Sequence, residues 1–148
     1  MLNIIIYIVT LALSFFIEQD EFISIEEVGM HDKLTPTLII SPTLIDNKLL
    51  NKYYVKEKFI VNTEVYDSLK NIIQSNKTNN PDSETIEFGC FEFAIHSGDK
   101  IILEYSTHRN ESLKLFDKLI DLTQKNNEGS LLLEIIKMRK KFTINHSH

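Results

Sequence analysis

The sequence predicts an α+β fold, in which an antiparallel sheet of about four to six strands packs with about three helices on one of its faces. Two apolar segments joined by Ser97-Gly98-Asp99 are typical of a β-hairpin. Three other segments carry apolar residues at helical spacing. Strands and helices do not alternate regularly, so a parallel α/β sheet is the less favoured alternative. The chain has 148 residues, a length that fits a single domain.

The first half of the chain predicts three strands. Residues Phe22–Ile25 form a short apolar run, and residues Thr37–Ser41 form a second one. Pro36 and Pro42 bracket the second run, and because proline cannot donate to a β-ladder, we expect an edge strand there. Apolar and polar residues alternate over Tyr53–Val61, so one face of this third strand is expected to be buried.

A polar segment and the hairpin follow in the second half. Residues 75–85 are mostly polar around Asn80-Pro81, which predicts a loop. The strands of the hairpin are expected at Ile86–Ile95 and Lys100–Ser106. The apolar residues change parity at Gly89, which predicts either a β-bulge or a strand that is buried on both faces.

Each predicted helix begins at a polar residue that can cap its free N–H groups. These residues are Asn62 or Thr63 for the first helix, Asn110 for the second and Ser130 for the third. Each helix is expected to bury one apolar stripe against the sheet. The expected stripes are Val65, Tyr66, Leu69, Ile72 and Ile73, then Leu113, Phe116, Leu119, Ile120 and Thr123, and finally Leu131, Ile135, Met138 and Phe142.

The start of the chain predicts export. Residues 1–17 carry no charged side chain, and residues 4–16 are apolar apart from Thr10 and Ser14. This run suits the core of a signal peptide and is shorter than the ~20 residues that span a membrane. Ala12 and Ser14 fit cleavage after Ser14, although the usual basic residues before the apolar core are missing. Residues 1–17 are therefore expected to be a signal peptide, with an uncleaved anchor or a buried first strand as alternatives, and residues 18–148 to form the domain.

The charge and cysteine content of the chain restrict its partners and its chemistry. A net charge of −5 makes nucleic-acid binding unfavourable, because such binding depends on neutralising phosphates with Lys and Arg. The basic cluster Lys137, Arg139, Lys140 and Lys141 falls in the last turns of the third predicted helix, where we expect its charges to interact favourably with the helix dipole, with a contact to a phosphate or an acidic partner as the alternative. Cys90 is the one cysteine, which excludes an internal disulfide and a four-cysteine zinc site.

No residues in the sequence are assigned to catalysis, to a cofactor or to a metal. A thiolate needs a nearby base, so His96 and His108 are the residues to test beside Cys90, although a buried and inert cysteine is expected. The histidines of His31-Asp32 and His146-Ser147-His148 have no partner at an established ligand spacing.

Paired carboxylates are the remaining candidates for chemistry. General acid–base catalysis needs two carboxylates that face each other across a cleft, whereas sequence neighbours on a strand point to opposite faces. We therefore expect these carboxylates to be solvated. The pairs are Glu18/Asp20/Glu21, Glu26/Glu27 and Glu87/Glu92.

The sequence leaves three functions open. The leading hypothesis is a non-enzymatic exported domain that binds another protein or an envelope component, without nucleic acid and without a membrane span once the signal is removed. The second is a small hydrolase whose site assembles only in three dimensions. The third is a cytoplasmic inhibitor or immunity-type protein, whose acidity would complement a basic target.

Overall fold

Five strands form one sheet in the computed structural model, which describes residues 20–28, 35–53, 56–77, 90–126 and 130–145. Several predicted features lie outside these residues: the signal peptide, most of the polar loop, the strand start at Ile86 with Gly89, and the histidines at positions 31, 146 and 148. Within the described residues, no helix is long and apolar enough to cross a bilayer.

The described elements confirm the α+β class. The sheet has the strand order β3-β2-β1-β4-β5, and three helices accompany it in the described residues. In chain order the elements are β1 (Glu21–Glu27), β2 (Thr37–Ser41), β3 (Lys56–Ile60), α1 (Thr63–Lys77), β4 (Phe91–Ser97), β5 (Lys100–Thr107), α2 (Arg109–Lys125) and α3 (Ser130–Asn145).

The sheet is mixed, so the predicted antiparallel sheet is wrong at one edge. β1 pairs antiparallel with β2 and β4, and β4 pairs antiparallel with β5, but β3 runs parallel to β2. Antiparallel neighbours can be joined by a tight turn, whereas parallel ones need a connection of about a dozen residues. The segment between Ser41 and Lys56 has that length, which allows the chain to return to the same end of the sheet before β3 begins.

The position of β2 corrects the prediction of an edge strand. β2 lies between β3 and β1, and all five of its residues are buried. Pro36 and Pro42 lie just outside its first and last residues, so neither proline removes an N–H group from the ladder. The two prolines fix the limits of the strand without fixing its place in the sheet.

Two apolar clusters lie on opposite sides of the sheet, because successive side chains of a strand point to opposite faces. The larger cluster joins Ile23 and Ile25 to the buried residues of all three helices. The smaller one joins Phe22 and Ile39 to Leu50 and Tyr53 of the segment that follows β2. We call the two sides of the sheet the Ile23 face and the Phe22 face. Both faces of the sheet carry buried residues, so β1 and β2 are buried along most of their length, their polar residues included.

The hairpin and the first helix cap have the predicted form. Gly98 lies in the turn between β4 and β5 with a φ of 60°, a conformation that glycine adopts without strain. The ladder between these strands shifts register between Ile95 and His96, a β-bulge at a position that the sequence does not predict. Asn62 Oδ1 accepts a hydrogen bond of 2.9 Å from the Val65 N–H group, so Asn62 caps α1.

The other two helices differ from prediction. α2 begins at Arg109 with His108 as its N-cap in place of the predicted Asn110, and the His108 N–H group donates to the Glu111 carboxylate at 3.0 Å. α3 buries only part of the predicted stripe: Ile135 is buried and Phe142 is partly buried, whereas Leu131 and Met138 are 63% and 58% exposed. Its other buried side chains are Leu132, Ile136, Arg139 and Thr143.

Candidate functional site

Ser24, Tyr53 and His96 form a hydrogen-bonded group on the Phe22 face. The antiparallel register of β1 and β4 sets Phe22 opposite His96 and Ser24 opposite Ala94. Ser24 Oγ lies 2.8 Å from His96 Nε2, and the Tyr53 hydroxyl oxygen lies 3.3 Å from the same nitrogen. The Phe22 ring stacks on the imidazole with the two centroids 4.3 Å apart. All four side chains are buried, so the fold encloses a polar group within an apolar face.

Burial keeps the imidazole of His96 neutral near pH 7. Desolvation, followed by repulsion from the Lys52 ammonium group, lowers the pKa of His96 from the ordinary 6.5 to about 4. Lys52 Nζ lies 4.9 Å from the centroid of the Tyr53 ring, beside this group. A neutral imidazole with its proton on Nδ1 has one lone pair at Nε2, which the Ser24 hydroxyl group at 2.8 Å and the Tyr53 hydroxyl group at 3.3 Å share.

A serine hydroxyl within hydrogen-bond distance of a histidine nitrogen is the arrangement of a nucleophile and its base. Ser24 is only 5% exposed, however, and His96 is 2% exposed. Tyr53 occupies the same imidazole nitrogen, and Phe22 covers the ring. A substrate therefore has no access to the Ser24 hydroxyl while the segment that carries Tyr53 is in place. The group contains the residue types of a hydrolase active site, but a substrate cannot reach them.

Cys90 is not brought together with His96. Cys90 is buried just before β4, and His96 lies near the other end of that strand, so about 20 Å of extended chain separates them. His108 is at the same end of the sheet as Cys90, one residue beyond the Phe91–Thr107 pair. A shallow cleft there is lined by His108, Arg109, Asn110 and Glu111, and Cys90 is not among its lining residues.

A buried charged group lies on the Ile23 face. Arg139 is 2% exposed, and its Nη2 donates to Glu57 Oε2 at 3.1 Å and to the Pro36 carbonyl oxygen. Glu27 is also 2% exposed, and its Oε2 accepts hydrogen bonds from the Thr35 N–H group at 3.2 Å and from the Thr35 hydroxyl group at 3.3 Å. Glu27 Oε1 and Arg139 Nε are buried without a hydrogen-bond partner in the described part of the chain.

This group corrects two expectations from the sequence. The basic cluster does not lie in the last turn of α3, and Arg139 is on the buried stripe of that helix, from which it reaches across to β3. The adjacent pair Glu26/Glu27 does divide between the two faces, but Glu27 is buried rather than solvated. The opposite charges and the hydrogen bonds offset part of the cost of burying these groups, while Glu27 Oε1 and Arg139 Nε remain without a partner among the described residues.

A polar cleft lies where several elements of the sheet end. It has a volume of about 330 Å³ and is lined by Glu21, Pro42, Thr43, Thr63, Tyr66, Asp67 and Ser97. Glu21 and Ser97 face each other as a β1–β4 pair, and Thr63, Tyr66 and Asp67 belong to the first turns of α1. Outside the lining residues, Lys70 Nζ forms an ion pair of 2.8 Å with Glu21 Oε2.

Three carboxylates lie on the Phe22 face, near the edge of the sheet that β5 forms. Glu26 lies opposite Glu92 in the β1–β4 ladder, and Glu92 lies opposite Ser106 in the β4–β5 ladder, so Glu104 is diagonal to Glu92. β5 is the last strand of the sheet, and no described residue pairs with its outer edge. At the bulged end of β5, Ile101 and Ile102 are 47% and 57% exposed.

Sequence patterns did not point to Ser24, Tyr53, a buried Arg139 or this edge. A serine inside the apolar run of β1 and a histidine inside that of β4 are the signals that could have indicated the polar group. In the described ranges, no group of three His, Cys, Asp or Glu residues could hold a metal ion.

Comparison of the chain with protein-family models, with curated proteins and with solved structures gave no match. The function is therefore inferred from the geometry of the described residues.

Proposed function

We propose that this protein is a binding module whose partner adds an extended, basic segment to the free edge of β5. The observation that carries the proposal is the combination of a strand edge with which no described residue pairs and two exposed isoleucines, Ile101 and Ile102. An edge strand presents N–H and C=O groups that can pair with another chain, and addition of a strand is a common mode of peptide recognition.

The regular part of β5 is long enough for such pairing. Leu103–Thr107 follows the β4 ladder without a shift, and the bulge is confined to the end that carries Ile101 and Ile102. A bulge usually limits pairing along an edge. The proposed segment therefore pairs with Leu103–Thr107, and one of its apolar side chains covers the two isoleucines.

The charge of the neighbouring surface selects a basic partner. An added strand places alternate side chains on the Phe22 face, beside the exposed Glu104 and the half-buried Glu92. Lysine or arginine opposite Glu104 meets its carboxylate at the distance of a cross-strand pair, which contributes ~0.2–1 kcal/mol, and Glu92 on the next strand adds to the negative charge of the same surface. The net charge of −5 also speeds the encounter with a basic protein.

Glu104→Lys is expected to weaken binding of a basic strand about five- to tenfold, because it replaces attraction by repulsion at the pairing edge. The probe is a fluorescent peptide in which lysine and valine alternate, and fluorescence anisotropy gives its Kd. Binding to the unmodified protein is expected to weaken as salt is raised.

Asp121→Lys is the matched control, because it makes the same charge change at an exposed position of α2. A peptide with glutamate in place of lysine controls for non-specific β-pairing. Equal binding of the basic peptide by the Glu104 and Asp121 variants, or no binding by the unmodified protein, contradicts the proposal.

The proposed setting of this module is outside the cytoplasm, on the basis of the apolar and uncharged residues 1–17. The intact mass of the protein from its native cells is expected to match a chain that starts at Phe15. A full-length mass in the cytoplasmic fraction contradicts export. It favours the inhibitor or immunity-type function, with the same basic target at β5.

A further inference from the structure

We infer that the cleft between Glu21 and Asp67 binds a primary ammonium group with a neighbouring carbonyl oxygen, as in the N-terminal residue of a peptide or in a small amino amide. This site is separate from the edge of β5 and does not depend on the function proposed above. Its volume of about 330 Å³ is at the lower end of the range for small-molecule sites.

The charges of the cleft favour a cation. Both charged residues of its lining are carboxylates, Glu21 and Asp67. Glu21 has Lys70 as an ion-pair partner, with side-chain exposures of 37% for Glu21 and 24% for Lys70. Asp67 is exposed at the cleft, so its carboxylate is the more accessible acceptor for an ammonium group. Charge-assisted hydrogen bonds of this kind are about twice as strong as neutral ones.

Tyr66 supplies the second, independent observation. The residue is 1% exposed and lines the cleft, and its hydroxyl group is buried without a hydrogen-bond partner among the described residues. Burial raises the pKa of this hydroxyl, and the charges of Glu21 and Asp67 raise it further, so the hydroxyl keeps its proton and remains a donor. An unsatisfied buried donor destabilises the protein because it has lost its hydrogen bonds to water. A ligand oxygen that accepts from Tyr66 removes that cost.

The remaining lining suits the polar part of the same ligand. Thr43, Thr63 and Ser97 contribute hydroxyl groups around the cleft, and Pro42 contributes an apolar wall. A hydroxyl group can both donate and accept, so these residues tolerate either an amide or an alcohol. The ligand must therefore supply an ammonium group to the Asp67 carboxylate and an acceptor oxygen to the Tyr66 hydroxyl group.

The test is an amide-NMR titration with two probes, alaninamide and the tripeptide Ala-Ala-Ala-amide. Both are expected to give saturable shifts at Thr63, Asp67 and Ser97 at about 10 mM, where a site with a millimolar Kd is nearly filled. Tighter binding of the tripeptide identifies a peptide N-terminus as the source of the ammonium group. Equal binding identifies a free small amine.

Variants of the lining residues distinguish binding in the cleft from general effects of the probes on the protein. Asp67→Asn is expected to weaken binding about tenfold and Tyr66→Phe about fivefold, each with the fold retained, because Asp67 is exposed and phenylalanine preserves the apolar contacts of Tyr66. Asp121→Asn on α2 is the control and should leave the Kd unchanged. The inference is overturned if the N-acetylated probes shift the same residues equally, if neither amine gives saturable shifts, or if Asp67→Asn binds like the unmodified protein.

Discussion

Replacement of Arg139 by alanine is expected to lower the free energy of unfolding by about 3 kcal/mol, because it removes the buried cation of an ion pair whose other partner, Glu57, is 31% exposed. Arg139 is 2% exposed, and its guanidinium group holds Glu57 and the Pro36 carbonyl oxygen. Glu27 also lies near enough for its charge to act on Arg139. Alanine leaves both carboxylates without their buried cation and opens a cavity under α3.

Urea unfolding followed by circular dichroism measures this loss, and Lys141→Ala is the matched control. Lys141 is an exposed basic residue of the same helix, so its replacement should change stability by no more than ~0.5 kcal/mol. A double-mutant cycle with Glu57→Gln should show a coupling energy between the two residues of at least ~0.5 kcal/mol. Equal, small effects of the Arg139 and Lys141 substitutions on the free energy of unfolding would show that Arg139 contributes no more than an exposed basic residue of the same helix.

Acidification is expected to remove about 3 kcal/mol of stability through His96 alone. Burial and the charge of Lys52 lower the pKa of this imidazole to about 4, whereas the unfolded chain has the ordinary value of 6.5. The unfolded state therefore binds more protons between these two values. The contribution is fully present above about pH 6.5, falls as the pH decreases, and is lost by about pH 4.

Carboxylates also titrate as the pH falls, so the contribution of His96 must be isolated by a variant. His96→Gln keeps a polar side chain at this position but cannot be protonated in this range. Unfolding free energies of both proteins at pH 7, 6, 5 and 4.5 should converge as the pH falls, because only the unmodified protein loses the His96 contribution. Parallel pH profiles of the two proteins would show that His96 titrates alike in the folded and unfolded chains.

The hydrolase hypothesis also depends on His96. Ser24 and His96 have the distance of a nucleophile and a base, but the Tyr53 hydroxyl group shares the imidazole nitrogen and the group is buried. The structure therefore gives His96 a role in stability, which the pH profile measures directly.

Local signals in the sequence determined several elements of this protein. Pro36 and Pro42 limit β2, Gly98 makes the β4–β5 turn, and Asn62 caps α1, because each of these residues acts on the backbone within a few positions of itself. The stripe of α1 was also predictable: Val65, Tyr66, Leu69 and Ile73 are all buried. Apolar periodicity identifies a buried face when no charged residue interrupts it.

The tertiary structure alone decided the place of β2, the direction of β3 and the burial of Arg139. Strand order depends on hydrogen bonds between segments far apart in the chain, and neither prolines nor periodicity report them. The stripe of α3 was partly misassigned because Arg139 and Thr143 are polar residues, yet both are buried, and Nη2 of Arg139 donates to Glu57 and to the Pro36 carbonyl oxygen inside the fold. Ser24 and His96 likewise become a pair only through the β1–β4 register, which sets residues 72 positions apart side by side.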